Sequence, residues 1–251
     1  MLAYSDTGRG PALVFVHGLG GDRTRWDPFV DRLAAGFRCI TIDLPGHGES
    51  PDDGCDSISA TTALHEVVKH LGIEGPTIVG HSLGATIGLL YGAIYGPRSV
   101  VAFDPVGLYL PDLAAALAPF ADRLQGDDFD GAFAEWEAGL LAPVPAERRA
   151  GLQAGIRPRA EVVRSYWSAL LDPADAAATQ AGFSAAISGI TCPTLVVLAD
   201  PPSERDAEVL AELQSPTVEV HEGGTHFLHL LDPDRYAERV RTWVGALSSD
   251  R

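Results

Sequence analysis

Ser82 sits in Gly80-His81-Ser82-Leu83-Gly84, between the strand-like run Thr77-Ile78-Val79 and the helical run Ala85-Thr86-Ile87-Gly88-Leu89-Leu90. A strand that turns abruptly into a helix holds a serine hydroxyl out on strained backbone. Small residues two positions either side are needed because neighbouring backbone comes too close for a side chain. The helix that follows points its first amides at the serine, so the Leu83 N–H is placed to stabilise an oxyanion. A second glycine-rich turn, His17-Gly18-Leu19-Gly20-Gly21, leaves the apolar run Leu13-Val14-Phe15-Val16 and offers the Leu19 N–H as the other donor. It lacks both Gly-x-Gly-x-x-Gly and Gly-Lys-Ser/Thr, which argues against a nucleotide phosphate as its ligand.

His226 follows the strand-like run 217–220 across His221-Glu222-Gly223-Gly224-Thr225. A histidine just past a strand end shares a sheet edge with a serine at another strand end. Its imidazole, with an ordinary pKa near neutrality, suits the general base that takes the serine proton and returns it to a leaving group. His229 is expected to pack at the start of the final helix, and His81 to line the pocket or to serve the structure. His17 and His47 read as loop-ordering groups that hydrogen-bond backbone, and His65 and His70 as ordinary helix-surface residues.

The elements that must position these groups alternate. Apolar runs at 12–16, 37–42, 77–79, 100–103, 194–198 and 217–220 read as strands buried on both faces. Helical spacing appears at 26–35, 58–71, 83–95, 205–213 and 233–247. The class is α/β, with a mostly parallel central sheet and helices on both faces. From 107 to 188 no strand is evident, and prolines divide the stretch into short helices. Its aromatic residues, Trp136 and Trp167 among them, are placed to roof an apolar site. The expected division is a core of 1–106 and 189–251 with an insertion of 107–188.

Composition narrows the partners. The 251 residues are 46% hydrophobic and 21% charged, ordinary for a globular chain, and the net charge of −16 repels nucleic acid and anionic membrane surfaces. No signal sequence and no run of some eighteen apolar residues is present, so a cytoplasmic location is the expectation. Three cysteines suggest neither a disulfide nor a metal site. The expected partner is a small, partly apolar substrate, with no cofactor and no metal.

Taken together, His17-Gly18, Asp43-Leu44-Pro45-Gly46-His47-Gly48-Glu49-Ser50, the Ser82 pentapeptide and Gly223-Gly224-Thr225-His226-Phe227 resemble the α/β-hydrolase superfamily in order and spacing, almost end to end. The resemblance implies an eight-stranded sheet whose first strand is missing or very short here, a helical cap after the family's sixth strand, and a triad in the order nucleophile, acid, histidine. Most members carry the acid in a Gly-x-x-Asp turn after the seventh strand. Here that turn reads Ala199-Asp200-Pro201-Pro202, with proline at the usual aspartate position. A subset places the acid after the sixth strand, where this chain has Asp104. Asp104 is therefore the first choice, Asp200 the alternative, and Asp206 a more distant one.

The function expected is hydrolysis of a carboxylic ester, lactone or thioester through an acyl-enzyme. The alternatives are C–C bond hydrolysis, lyase or cyclase chemistry on the same fold with His226 as base, or a receptor-like binding protein. Serine at the elbow argues against dehalogenase or epoxide-hydrolase chemistry, for which the resemblance implies aspartate.

Overall fold

The computed structural model describes residues 1–214 and 216–249. Seven strands form one sheet: β1 (Tyr4–Gly8), β2 (Ala12–Val16), β3 (Arg38–Ile42), β4 (Thr77–His81), β5 (Ser99–Phe103), β6 (Thr194–Leu198) and β7 (Pro216–Val220), in the spatial order β1-β3-β2-β4-β5-β6-β7. Only β1 runs antiparallel, against β3, and every other pairing is parallel. The helices connecting them are α1 (Asp27–Leu33), α2 (Ser57–His70) and α3 (Leu83–Tyr95). Between β5 and β6 lie α4 (Leu110–Leu117), α5 (Ala121–Gln125), α6 (Phe129–Leu141), α7 (Ala146–Gln153), α8 (Ala160–Tyr166) and α9 (Pro173–Ser188). The chain ends through α10 (Glu204–Ala211), α11 (Leu228–Leu231) and α12 (Pro233–Ser249).

The continuous apolar strands are explained by burial on both sides, with alternate residues assigned to opposite layers. In β2, Leu13 and Phe15 join Trp26, Phe29, Val240 and Val244 on the face covered by α1 and α12. Val14 and Val16 join Leu64 and Val67 of α2 on the other. The buried set of α2, Ala60, Thr61, Leu64, Val67 and Val68, repeats at helical spacing, and Asp56 caps its start by accepting from the Ile58 and Ser59 amides.

Among the described residues the sheet has seven strands, where the resemblance implied eight. The strand β1 was not anticipated. Its sequence, Tyr-Ser-Asp-Thr-Gly, has four exposed residues of five and carries no apolar signal. It forms because it lies on the sheet edge, where backbone pairing to β3 and the Arg38–Asp6 ion pair suffice. His65 also departs from expectation: it is half-buried, bonded to the Tyr91 hydroxyl at 3.0 Å and stacked on Tyr95 at 3.7 Å. The three cysteines are buried and unpaired, and burial pushes the Cys39 thiol up to about 12. Among the described residues, no helix is long and apolar enough to cross a membrane.

Parallel pairing brings the ends of β2, β4, β5 and β7 to one edge of the sheet. Each of the segments singled out for chemistry leaves a strand at that edge.

Candidate active site

Ser82 connects β4 to α3 with φ 55° and ψ −123°, a region that side chains rarely adopt. Such a conformation costs on the order of 1–3 kcal/mol and persists only where the surroundings enforce it. Here they do: the Ser82 amide donates to the Phe103 carbonyl at 3.0 Å. A methyl group on Gly80 would lie 2.2 Å from the Gly84 carbonyl oxygen, and one on Gly84 would lie 2.2 Å from that of Val16. The turn therefore closes only with hydrogen at both positions. Leu83, the first residue of α3, has no helical acceptor for its amide.

His226 lies beyond β7, and its Nδ1–H donates to Asp104 Oδ2 at 2.7 Å. Asp104 is the other non-glycine residue with positive φ among the described residues, at 44°. Its second oxygen accepts from the Ala199 amide at 2.8 Å, and its own amide donates to the Val197 carbonyl at 2.7 Å. The carboxylate is thus clamped between β6 and the histidine. The bond fixes the Nδ1–H tautomer and leaves Nε2 as an acceptor. Asp200 is exposed and accepts from the Gly223 amide at 3.3 Å, so it bears on the loop that carries His226 and not on the ring. Asp206 accepts from the Tyr109 amide and from the Ser203 hydroxyl. Among the described residues, no hydrogen bond engages Ser82 Oγ; such contacts commonly tighten only with substrate.

The Leu19 turn is held by two histidines. His17 Nε2 accepts from the Leu44 amide at 3.0 Å while Nδ1 meets the Gly18 carbonyl at 2.7 Å. His47 Nε2 accepts from the Gly20 amide at 3.1 Å while Nδ1 meets the Pro45 carbonyl at 3.0 Å. Each ring uses one nitrogen as donor and the other as acceptor, so each is neutral. Burial pushes His17 down to about 4 and His47 down to about 3. Beneath them the buried Asp43 accepts from the Arg23 and Glu49 amides and pairs with the Arg23 guanidinium. From the loop between α7 and α8, the Arg157 amide donates to the Gly20 carbonyl at 2.7 Å.

His81 Nε2–H donates to the His226 carbonyl at 2.8 Å, and its ring lies 4.6 Å from that of His226. Burial holds it well below the ordinary histidine range. His229 belongs to the separate turn α11 rather than to the final helix, packed among Trp26, Phe103 and His81.

Two cavities meet at Ser82. The larger, about 480 Å³, is bounded by Leu19, Ser82, Leu83 and Thr86 and by residues of the inserted helices, Trp136, Trp167 and Phe183 among them. Its size falls within the range usual for small-molecule sites. Trp136 and Trp167 meet edge to face at 4.8 Å, giving it an aromatic wall. The smaller, about 40 Å³, is bounded by Ser82, Leu19, His81 and His226 and by Arg25, Trp26, Glu137 and His229. Arg25, Trp26 and Glu137 were not foreseen. Glu137 had a legible signal, because it falls on the buried stripe Phe129, Ala132, Phe133, Glu137, Leu141 of α6, where a carboxylate is out of place.

Comparison with known proteins identifies the family. The pattern of the "Alpha/beta hydrolase family" matches residues 13–239. A protein of Escherichia coli named "Putative carbamate hydrolase RutD" is 28% identical over 99% of this chain and 92% of its own length. An uncharacterised protein of Mycobacterium tuberculosis, Rv2715, is 37% identical over 36% of this chain, a match that spans only 27% of that longer protein. Among solved structures, an esterase from Thermogutta terrifontis superposes with a TM-score of 0.77 at 22% identity, over 98% of this chain and 93% of that one. MenH from S. aureus gives 0.76 at 19% identity, over 98% of each chain. With the family pattern running through the strand-end loops that carry Ser82, Asp104 and His226, the chain belongs to the alpha/beta hydrolase family.

Proposed function

We propose that the protein is a serine hydrolase that cleaves a carboxylic ester, lactone or thioester through an acyl-enzyme. The observation that carries this reading is the 2.7 Å bond between His226 Nδ1 and Asp104, with Ser82 and His226 bounding one cavity. Ser82 Oγ attacks the acyl carbon while His226 Nε2 takes its proton. The Leu19 and Leu83 amides hold the oxyanion, and Asp104 stabilises the imidazolium and keeps its tautomer. Collapse of the tetrahedral adduct breaks the bond to the leaving group, which receives the proton from His226. Water activated by the same histidine then releases the acid. The name of the E. coli relative, a carbamate hydrolase, supports the same class of reaction, since a carbamate is another acyl bond to a heteroatom.

In this reading residues 107–188 act as a cap over the core of 1–106 and 189–251. The substrate is a small, partly apolar molecule, since the larger cavity is lined mainly by apolar groups. A p-nitrophenyl ester is expected to give a burst of product equal to the enzyme concentration, lost in Ser82→Ala. Failure of both this burst and labelling by a fluorophosphonate probe would sink the proposal.

A further inference from the structure

The larger cavity has a closed side and an open one. Ser82 and Leu83, on its closed side, are buried. On its open side Ser165, Ser168, Thr179 and Gly182 are exposed, and Ile58 at the start of α2 shows 56% of its surface. The helix α9 provides the opening. Its residues Thr179, Gly182, Phe183 and Ala186 bound the cavity at positions i, i+3, i+4 and i+7, which is one face of a helix. Phe183 is the one large side chain on that face. A methyl group on Gly182 would meet nothing within 4 Å outside the backbone of its own helix, so the face is open there.

The wall between these two sides is unsuited to charge. Leu83, Leu90, Val106, Leu113 and Leu170 contribute to it, and among the described residues that bound the cavity there is no lysine, arginine or histidine. The Thr86 hydroxyl donates to the Val106 carbonyl at 2.9 Å and the Tyr166 hydroxyl to the Pro45 carbonyl at 3.2 Å, so both are already engaged. The one carboxylate, Asp56, is exposed at the open side and accepts the Ile58 and Ser59 amides. A charged group on the buried part of a ligand would therefore lose its hydration without gaining a partner. At roughly 30 Å³ per water-sized group, a four-carbon acid would leave most of the 480 Å³ unfilled.

His226, which must lie within hydrogen-bond reach of the leaving group it protonates, bounds the smaller cavity and not the larger. The acyl group is then the part of the substrate that enters the larger one. We infer that the substrate carries an uncharged, unbranched aliphatic acyl chain, its carboxyl carbon at Ser82 and its tail passing between α9 and the start of α2 to the open side. On the acyl-enzyme reading, on which this inference rests, Gly182 sets how long a chain is accepted. Ser82 Oγ bonds to the acyl carbon, the bond from that carbon to the leaving oxygen breaks, and the leaving oxygen takes the serine proton by way of His226. Water then adds its hydroxyl to the acyl carbon and returns a proton to Ser82, which frees the fatty acid.

The test measures kcat/KM for the ethyl esters of unbranched acids from butanoic to decanoic, each below its solubility limit. The native enzyme is expected to gain about threefold per added methylene as far as the octanoate, the value of burying that much apolar surface. Gly182→Trp, which places an indole in the open face, is expected to lower the octanoate-to-butanoate ratio at least tenfold. Gly139→Trp makes the same change at an exposed site of α6 that bounds neither cavity, and should keep the native ratio. Any loss of folded protein lowers every ester alike, so the ratio reports the cavity. Ser82-dependent turnover with no gain beyond the butanoate, or with a ratio that Gly182→Trp leaves unchanged, would overturn the inference. Absence of Ser82-dependent turnover across the whole series would instead overturn the acyl-enzyme reading, and the inference with it.

Discussion

At the scale of single residues, the acid lies between two aspartates alike in kind: both follow strands and both lie near the loop of His226. Asp104 is bonded to the ring at 2.7 Å and to the Ala199 amide at 2.8 Å, whereas Asp200 reaches only the Gly223 amide at 3.3 Å. Asp104→Asn leaves the shape but supplies an amide where the imidazole needs an acceptor, and kcat is expected to fall by about 10⁴. Asp200→Asn, at an exposed position, is expected to change it by no more than about a factor of two. Steady-state kinetics of the two variants on one ester checks both, and a larger loss for Asp200→Asn would reverse the assignment. Proline at the family's usual acid position made Asp200 doubtful from sequence. Only the side-chain geometry separates it from Asp104.

At the scale of elements, the elbow between β4 and α3 depends on two absent side chains. Alanine at Gly84 would bring a methyl group within 2.2 Å of the Val16 carbonyl oxygen and 2.5 Å of the His17 carbonyl oxygen. Backbone cannot yield as a flexible side chain does, so Gly84→Ala should cost at least about 2–3 kcal/mol and displace Ser82. A lowered urea midpoint together with lost fluorophosphonate labelling is the expected result. Retention of both would show that the elbow is looser than its contacts indicate. The glycine spacing made this element readable in advance, because the requirement is local and steric. The edge strand β1 was not readable, because its pairing with β3 is supplied by a partner 30 or more residues along the chain and not by its own pattern.

At the scale of the whole molecule, burial keeps several histidines neutral at once. His17 is held at about 4, His47 at about 3, and His81 and His229 well below the ordinary value, in each case chiefly through desolvation. A folded-state pKa below the unfolded one means that the unfolded chain takes up protons first as pH falls below about 6.5. The stability associated with these groups is therefore complete above that pH and is lost on acidification towards the folded values. Each contributes a slope of up to about 1.4 kcal/mol per pH unit in that window. Urea midpoints between pH 7 and pH 5 should fall steeply, and His47→Gln should remove about one histidine's share of the slope. An unchanged slope in that variant would show that His47 does not titrate on unfolding.

The sequence by itself determined the class of fold, the serine and histidine, and the strand-end loops that carry them. Those features are written in periodicity, in glycines required by close backbone approach, and in motif order, all of which are local. It also singled out Trp136 and Trp167, whose rings do bound the larger cavity. Tertiary structure alone decided which carboxylate meets His226, since Asp104 and His226 are 122 residues apart and joined only by the parallel order of the sheet. It alone divided the space around Ser82 into a large chamber and a small one, because Arg25, Trp26, Glu137 and His229 come from three distant segments whose shared boundary no local pattern records.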